Sequence, residues 1–363
     1  MSCDIAIIGA GIAGASLAMQ LAGRLAGRAR VVLLEAEHAP GYHATGRSAA
    51  FWVESYGGPA IQPLTSASGP WLRESGFLGD RGALTLARAG QETEAEAFAA
   101  EFARLGVRTE VLGRAALEQH LPGLRAGWMV GVHEPDCSDI DVAALHQHYL
   151  AAAKAGGVEL RCNARLIAAQ SVTDGWLLKL ADGSELSTGV LVNAAGAWAD
   201  EVARMAGVAP IGIAPLRRTL VQLRTSPTPP ADLPLVLDLA GEVYFKSEAG
   251  RLWLSPHDEE PSPPCDAAPE ELAIATAIAR FEQVVDWQVE AVERSWAGLR
   301  SFAPDRLPVY GFAPDQGSFF WCAGQGGFGI QTAPAAARLA RGLLLNAVSA
   351  EVDPVPYDPA RFS

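Results

Sequence analysis

Cysteine is scarce in this sequence, and its placement excludes two classes of site. The five cysteines in 363 residues form no C-x-x-C pair, so neither a disulfide framework nor a structural zinc site is predicted. We predict no metal site, and a reducing compartment fits the chain best. The expected location is the cytoplasm, with a peripheral position at the inner face of a membrane left open. The cysteines are Cys3, Cys137, Cys162, Cys265 and Cys322.

Basic residues and long apolar runs are also in short supply. Lys and Arg number 28 against 41 Asp and Glu, and the net charge of −13 argues against nucleic acid as a partner. Residues 5–22 resemble a signal sequence in hydropathy, but no basic region precedes them and three glycines interrupt them. No other stretch approaches the roughly 20 apolar residues of a membrane span. We therefore expect no integral membrane segment, and a small molecule as the partner.

The length and composition predict two folded domains. At 363 residues the chain exceeds the size at which single hydrophobic cores usually stop growing. Hydrophobic residues make up 49% and charged residues 19%, which is ordinary for a compact folded protein. Disorder is excluded on this composition.

A strand, a glycine turn and a helix are predicted at the start of the chain. An apolar run at 5–8 leads into Gly9, Gly11 and Gly14, and an Ala- and Leu-rich segment follows to residue 25. These glycines allow a tight turn, approach of a pyrophosphate to the backbone, and packing of the helix on the strand. A second apolar run ends in Glu35, whose carboxylate can accept hydrogen bonds from ribose hydroxyls. The pattern predicts dinucleotide binding, and a βαβ unit without a nucleotide is the alternative.

A loop of small residues with one His and one Arg follows at 41–50. Small residues permit close backbone approach, so a cofactor contact is favoured over a solvated connector. The candidates in this loop are His43, Thr45, Gly46, Arg47 and Ser48.

The pattern then alternates between two kinds of segment. Apolar strands leading into glycine turns and helices return at 190–206, around Gly196, and at 319–345. Between them lie shorter strands and amphipathic helices, and the last dozen residues, with three prolines, are predicted to form a peripheral tail. The other predicted strands are 82–87, 130–133, 158–166, 176–180, 220–223, 235–238, 243–246, 252–254 and 289–299, and the other helices are 92–105, 142–155 with Asp141 as N-cap, and 269–285.

Five ordered blocks resemble the FAD-dependent D-amino acid oxidase and dehydrogenase family, which is similar to glycine and sarcosine oxidases. The D-arginine-type dehydrogenases resemble the chain most closely. The resemblance implies an α/β fold (α+β overall), in which a Rossmann-like FAD-binding domain is interleaved with a β-sheet-based substrate domain. The FAD-binding domain is expected at 1–73, 138–213 and 299–363, and the substrate domain at 74–137 and 214–298. The blocks are Gly9 to Gly14 with Glu35, then 43–50, 193–198, 296–302 and 324–332.

The resemblance also implies FAD as the cofactor, bound noncovalently, with Cys322 and His43 as the alternative points of covalent linkage. The pyrophosphate is expected over 11–14, the ribose at Glu35, and the isoalloxazine beside 45–48. The helix that begins after 326–332 is expected at the pyrimidine end, where its N-terminus stabilises negative charge. The expected cofactor-binding residues are Gly9, Gly11, Ala13, Gly14, Glu35, Ala36, Thr45, Gly46, Arg47, Ser48, Gly196, Gly326, Gly327, Gly329, Ile330, Gln331 and Thr332.

The implied reaction is oxidative deamination of a D-amino acid, in which a hydride passes from Cα to flavin N5. The imino acid then hydrolyses to a 2-oxo acid and ammonia. The family motif matches Trp296-Ala-Gly-Leu-Arg300, which makes Arg300 the guanidinium that binds the substrate carboxylate. Tyr244 is expected to add a hydroxyl donor, with a cross-strand aromatic as the alternative. The remaining members of the expected catalytic set are Arg218, which lies on a predicted turn and has solvated surface charge as its alternative, His43 as a candidate base or a structural histidine, and Gly327.

Ala83 marks the clearest departure from the D-arginine-type pattern. Those enzymes place an acidic residue in the segment that aligns with 78–86, and Ala83 stands at that position here. Burying a cationic head group without an acid leaves its charge unpaired. The sequence therefore predicts neutral, hydrophobic substrate side chains, with Asp80 and Glu242 as substitute acids if this alignment is shifted.

Three other functions stay open on the residues alone. One is flavin-dependent oxidation of another small carboxylate, such as a 2-hydroxy acid, glycine or sarcosine. The second is an NAD-dependent dehydrogenase, which would leave the loop at 41–50 and the C-terminal glycine turn unexplained. The third is a non-catalytic flavin-binding protein. The electron acceptor is equally open among a quinone, another carrier and oxygen.

Overall fold

The computed structural model describes residues 1–25, 27–349 and 351–363. The helices are α1 (Ile12–Leu25), α2 (Gln62–Glu74), α3 (Glu92–Arg104), α4 (Arg114–His120), α5 (Val142–Ala155), α6 (Ala199–Met205), α7 (Glu271–Val284) and α8 (Ala333–Leu344). Short 3₁₀ turns are Ala44–Arg47, Gly196–Trp198, Val355–Tyr357 and Pro359–Phe362. Within these ranges no helix combines the length and the apolarity needed to cross a bilayer.

The strands of the first half are β1 (Ser2–Ile8), β2 (Val31–Leu34), β3 (Phe51–Trp52), β4 (Leu78–Asp80), β5 (Ala83–Arg88), β6 (Glu110–Gly113), β7 (Trp128–Glu134), β8 (Ser138–Ile140), β9 (Glu159–Arg161), β10 (Leu166–Val172), β11 (Gly175–Leu180) and β12 (Glu185–Asn193). Those of the second half are β13 (Ala214–Ser226), β14 (Leu235–Asp238), β15 (Tyr244–Glu248), β16 (Arg251–Ser255), β17 (Glu260–Pro261), β18 (Gln288–Phe302), β19 (Val309–Ala313), β20 (Gln316–Ala323) and β21 (Gln325–Gly326).

The first sheet has a parallel centre in the order β9-β2-β1-β12-β20. Ile5 of β1 pairs with Val31 on one side and Val190 on the other. Every residue of β2 is buried, as expected for a strand covered on both faces. Helices α1, α5 and α8 pack together on one face, and β10, β11 and α6 contribute to the apolar cluster on the other. The predicted α/β class with a Rossmann-like unit is confirmed.

The second sheet runs in the order β21-β18-β13-β16-β15-β14-β5-β7-β6, and its pairs are antiparallel except for β5 with β14. Phe245 points into a core with Phe281 of α7. Because side chains alternate along a strand, Tyr244 points to the opposite face, where it joins a cluster with Ala83 and Leu220. A small three-stranded sheet, β3-β8-β4, completes the fold.

The strands of the two large sheets come from alternating parts of the chain, in line with the expected interleaving. The division into an FAD-binding and a substrate domain stays a prediction. The expected boundary between 298 and 299 falls inside β18, which continues to Phe302.

Several local predictions are confirmed, and others are wrong. Asp141 caps α5 by accepting a hydrogen bond from Ala144 N at 2.9 Å. The single strand predicted at 158–166 is two strands, β9 and β10, in different positions of the first sheet. The predicted peripheral tail is anchored, because Tyr357 is only 1% exposed and donates a hydrogen bond to the Ala60 carbonyl. The predicted turn at Arg218 is part of β13.

Candidate functional site

The turn between β1 and α1 leaves no room for side chains at two positions. Gly9 has a φ of +98°, and a Cβ there would lie 2.5 Å from the Ala194 carbonyl oxygen. A Cβ on Gly14 would lie 1.9 Å from the Gly9 carbonyl oxygen. Helix α1 can therefore approach β1 and β12 this closely only with glycine at both positions.

Two side chains from later in the chain fix the same turn by accepting hydrogen bonds from its backbone N–H groups. Glu35 accepts from Ala10 N with one oxygen and from Glu37 N with the other, both at 3.0 Å. Thr45 Oγ1 accepts from Ile12 N at 2.9 Å, at the first residue of α1. The loop at 41–50 thus holds the N-terminus of α1 in a set orientation.

A cavity of about 440 Å³ extends from this turn to Arg300 on β18. Its volume lies in the range of small-molecule sites, which is about 300 to 1,000 Å³. The glycine turn, the N-terminus of α1 and Glu35 stand where a dinucleotide requires them, so this end fits such a cofactor. Most of the predicted site residues line the cavity. They are Gly9, Gly11, Ala13, Glu35, Ala36, His43, Thr45, Arg47, Ser48, Gly196, Arg218, Tyr244, Arg300, Gly326, Gly327, Gly329 and Ile330.

The other four predicted cofactor residues shape the cavity from behind its wall. Gly14 lies under the turn, and a Cβ on Gly46 would lie 2.6 Å from the Gly41 carbonyl oxygen. Gln331 Nε2 donates to the Tyr56 carbonyl at 3.1 Å, which ties the C-terminal glycine turn to the loop after β3. Thr332 Oγ1 donates to the Phe328 carbonyl at 2.8 Å, just before α8.

Arg300 is held by phenols rather than by a carboxylate. Its Nη1 donates to Tyr56 Oη at 2.6 Å, and its Nη2 lies 3.5 Å from Tyr244 Oη. Among the described residues it forms no ion pair with Asp or Glu. Gly327 lets the backbone approach, since a Cβ there would lie 2.6 Å from Arg300 Nη1. A guanidinium in this state is suited to bind an anionic ligand.

Arg218 is a second guanidinium in the wall, and only 4% of it is exposed. Its Nε donates to the Asp258 carbonyl at 2.7 Å, and its Nη2 pairs with Glu259 at 3.1 Å. Its buried Nη1 has no hydrogen-bond partner in the described parts of the chain. Burial, and next the charge of Arg300, lower the pKa of Arg218 from its usual value. The surface-charge alternative is therefore excluded for Arg218.

Aromatic rings and a histidine enclose Arg300. Phe51 packs edge-on against Tyr56 and Tyr244, with ring centres 5.2 and 5.7 Å apart. His257 Nε2 lies 3.3 Å from Tyr56 Oη. Burial raises the pKa of Tyr56, but the charges of Arg300 and Arg218 outweigh this effect and hold it below its ordinary value.

A buried carboxyl group, Glu134 on β7, fixes the backbone beside Tyr56. Its oxygens accept from Glu54 N at 2.7 Å and from Ser55 Oγ at 2.5 Å, and 3% of the residue is exposed. Burial raises the pKa of Glu134 to about 7. The position of Tyr56 thus depends on a residue from the second sheet.

This raised pKa predicts a pH dependence of stability. Glu134 keeps its proton up to about pH 7 when folded but releases it near its ordinary pKa of 4.5 when unfolded. The free energy of unfolding therefore falls as pH rises from about 4.5 to about 7, by on the order of 3 kcal/mol, and is level above. Glu134→Gln is neutral in both states and should lack this fall, which denaturant unfolding at pH 5 to 8 measures. Glu110→Gln, an exposed position on β6, is the control, and parallel curves for wild type and Glu134→Gln would contradict the assignment.

Ala83 is not itself in the wall of the cavity but belongs to the buried apolar cluster of Leu220 and Tyr244, which are. It is 1% exposed and packs in one cluster with Phe51, Leu220, Leu235 and Tyr244. Asp80 and Glu242, the proposed substitute acids, are exposed. The acids in the cavity wall lie elsewhere, at Glu35 and Glu37 beside the glycine turn and at Glu201 on α6.

His43 and Arg47 have their partners outside the Arg300 cluster, by which we mean Arg300, Tyr56, Tyr244 and His257. His43 Nε2 lies 3.1 Å from Glu37 Oε1, and its ring packs against Trp198 at 4.7 Å. Arg47 binds Asp266 and donates to the carbonyls of Ala267 and Ala297 at 2.9 and 3.0 Å. This placement favours the structural alternative for His43 over a base at Cα.

Sequence reasoning missed Tyr56, His257 and Glu134. The signal for Tyr56 was slight: a tyrosine directly before Gly57 and Gly58, in a loop that follows the small-residue segment. A Cβ on Gly57 would lie 2.8 Å from the Phe328 ring, so this glycine lets the loop pack on the C-terminal turn.

Comparisons with known proteins agree with this geometry. The family described as FAD dependent oxidoreductase (DAO) matches residues 4–343. Glycine oxidase of Pseudomonas aeruginosa is 26% identical, and the match covers 99% of this chain and 99% of that protein. Mitochondrial dimethylglycine dehydrogenase of Rattus norvegicus is 26% identical over 256 residues. The match covers 64% of this chain but only 29% of that longer protein. The solved structure of L-proline dehydrogenase from P. horikoshii superposes with a TM-score of 0.87 over 99% of this chain and 98% of that chain, at 22% identity, which shows a common fold.

Proposed function

The chain belongs to the family of FAD-dependent oxidoreductases, and on this premise we propose that it oxidises D-amino acids with neutral side chains at the Arg300 end of the cavity. FAD is the cofactor, and it supplies the acceptor for the hydride that leaves the substrate Cα. The products are a 2-oxo acid and ammonia, after hydrolysis of the imino acid.

Arg300 is the observation that carries this proposal. Its guanidinium has only phenols as hydrogen-bond partners among the described residues, although it carries a full charge. A substrate carboxylate matches the planar N–H groups of arginine and supplies the missing counter-charge. The unpartnered Nη1 of Arg218 offers a second donor from the same wall.

The residues around Arg300 orient the substrate and keep water away from it. Tyr244 Oη stands beside Arg300 Nη2, so its hydroxyl can donate to the same carboxylate. Phe51 and Phe328 pack against Tyr56 and make this end of the site apolar. Positioning of this kind can contribute a large part of a rate enhancement.

The charges at this end favour neutral side chains over cationic ones. Arg218 and Arg300 are both positive, and Ala83 lies among apolar residues. A substrate guanidinium or ammonium there would be buried without an acid, which costs several kcal/mol. The preference for D-amino acids comes from the resemblance of the motifs alone, and experiment decides it.

A substrate panel tests the proposal. Anaerobic mixing of the purified holoprotein with single D- and L-amino acids, with the flavin absorbance as readout, reports enantiomer and side-chain preference together. We expect specificity constants for D-leucine, D-methionine or D-phenylalanine about 100-fold or more above that for D-arginine. D-arginine as the best substrate would overturn the argument from Ala83, and bleaching by L-amino acids alone would overturn the assignment of configuration.

The same panel with Ala83→Glu tests the side-chain argument directly. A carboxylate at this position should shift preference toward D-arginine, because it pairs with a cationic head group. Thr85→Glu on the same strand is the control, since Thr85 is outside the apolar cluster of Ala83. Retention of the flavin spectrum shows that the variant is folded.

Oxidation of glycine or a secondary amine is the second candidate. The full-length match to a glycine oxidase, and the match to a dimethylglycine dehydrogenase, favour it. Arg300 would bind the carboxylate of such a substrate in the same way. Glycine and sarcosine therefore belong in the panel, and faster turnover of either than of any D-amino acid would establish this alternative.

A further inference from the structure

The hydrogen-bond chain behind Arg300 ends on a backbone carbonyl. His257 Nδ1 is bonded to the Gly241 carbonyl, which can only accept, so Nδ1 carries the proton. Burial, together with the charges of Arg218 and Arg300, lowers the pKa of His257 to about 3, and the ring is neutral at ordinary pH. Its Nε2 therefore has a free lone pair.

This tautomer determines the direction of the next bond. Nε2 can only accept from Tyr56, so the Tyr56 hydroxyl proton points to His257 across 3.3 Å. Tyr56 Oη then receives a hydrogen bond from Arg300 Nη1 at 2.6 Å. The Tyr244 hydroxyl oxygen accepts from Arg300 Nη2, which cannot accept in return. Among the described residues the Tyr244 hydroxyl therefore has no acceptor for its own proton.

We propose that His257 is a positioning residue for the carboxylate site: it accepts the hydrogen bond of the Tyr56 hydroxyl, so that Tyr56 holds Arg300 while Tyr244 alone donates to the ligand. This inference rests on the proposed binding of a carboxylate by Arg300. The two tyrosines, with hydroxyls 2.6 and 3.5 Å from the Arg300 guanidinium, thus have different roles. Without His257, the Tyr56 hydroxyl can turn and compete with the carboxylate for its orientation, and one nitrogen of Arg300 loses its fixed acceptor.

A double-mutant cycle on the FAD-loaded protein tests the coupling. The probe is acetate, with acetamide as the uncharged comparison, and binding is followed by the shift in the visible flavin spectrum. His257→Phe and Tyr56→Phe should each weaken acetate about tenfold, and the double variant should be no weaker than Tyr56→Phe alone. Fully additive losses, or normal binding by His257→Phe, would overturn the proposal.

Two further variants separate positioning from packing. His257→Gln keeps an acceptor for Tyr56 and a donor for Gly241, so it should restore acetate affinity to within about threefold of wild type. His133→Phe, on β7 beside His120 and outside the cavity wall, should leave acetate binding unchanged. Equal losses in His257→Gln and His257→Phe would show that only the imidazole ring shape matters, and the inference would fail.

The pH profile gives an independent readout. Because His257 is neutral above about pH 3, the acetate affinities of wild type and His257→Gln should follow the same profile from pH 5 to 8. A rise in acetate affinity on acidification that is present only in the wild type would mean that His257 becomes a cation, and would overturn the assignment.

If the wild type binds acetate and oxidises amino acids but the cycle is additive, only this inference fails. If the wild type neither binds acetate nor oxidises any amino acid, the proposed function fails and this inference falls with it.

Discussion

Arg300→Met is expected to lose roughly 2 to 5 kcal/mol of productive substrate binding, which is about 30-fold to several thousand-fold in kcat/KM. Arg300 is the one guanidinium of the described cavity wall whose hydrogen-bond partners there are all phenols, so a substrate carboxylate would supply its counter-charge. Arg300→Lys keeps the charge but not the planar fork and should recover only part of the loss. Steady-state kinetics with the best substrate of the panel measures both variants.

Arg224→Met is the matched control for this prediction. Arg224 lies on β13, the strand next to β18, and pairs with Glu290 and Glu293 at the surface. Exposed ion pairs contribute little to stability, so this variant should keep both its flavin and its activity. An unchanged kcat/KM in Arg300→Met, with Arg224→Met also unchanged, would refute the role of Arg300.

Gly14→Leu is expected to give colourless or insoluble protein. Even the first carbon of the side chain would lie 1.9 Å from the Gly9 carbonyl oxygen, so α1 would have to move away from β1 and the turn would open. The N-terminus of this helix, where the cofactor pyrophosphate is expected, would then lose its position. Flavin content per protein, read from the visible and ultraviolet absorbance of the purified variant, measures the effect.

A second glycine in the same helix supplies the control. Gly23 also lies in α1, but a Cβ there meets nothing within 4 Å. Gly23→Ala should keep the full flavin content and raise stability by about 0.5 to 1 kcal/mol, since alanine favours a helix interior. Full FAD occupancy in Gly14→Leu would remove the support for the glycine turn as the cofactor site.

Local patterns allowed the sequence to predict one end of the site but not the other. The motif with Gly9, Gly14 and Glu35 lies within 31 consecutive positions, from residue 5 to residue 35, at spacings that a single sequence displays directly. The Arg300 cluster has no such signature. Tyr56 meets Arg300 across 244 positions and His257 across 201, and pairs this distant leave no periodic trace in a single sequence. Arg300 itself was found only through its resemblance to a family motif.

Arg218 illustrates a different limit of prediction from sequence, which concerns the burial of a charged side chain. The sequence placed Arg218 on a turn, with solvated surface charge as the alternative to a position near the substrate. The turn was wrong because β13 is 13 residues long and includes Arg218, which is buried. Asp258 and Glu259 accept its hydrogen bonds, and both come from a loop after β16 that a strand prediction does not place. Burial of this charge is a tertiary property, which hydrophobic periodicity does not report.

The parallel pairing of β1 with β12 sets an order of events during synthesis of the protein on the ribosome. One edge of β1 is covered early, because β2 ends at Leu34. The other edge waits for β12, since Ile5 pairs with Val190. At roughly 5 to 20 residues per second, that interval is about 10 to 40 seconds. The nascent chain therefore carries an apolar strand with an open edge through half of its translation, and this is the period in which we expect chaperones to matter most.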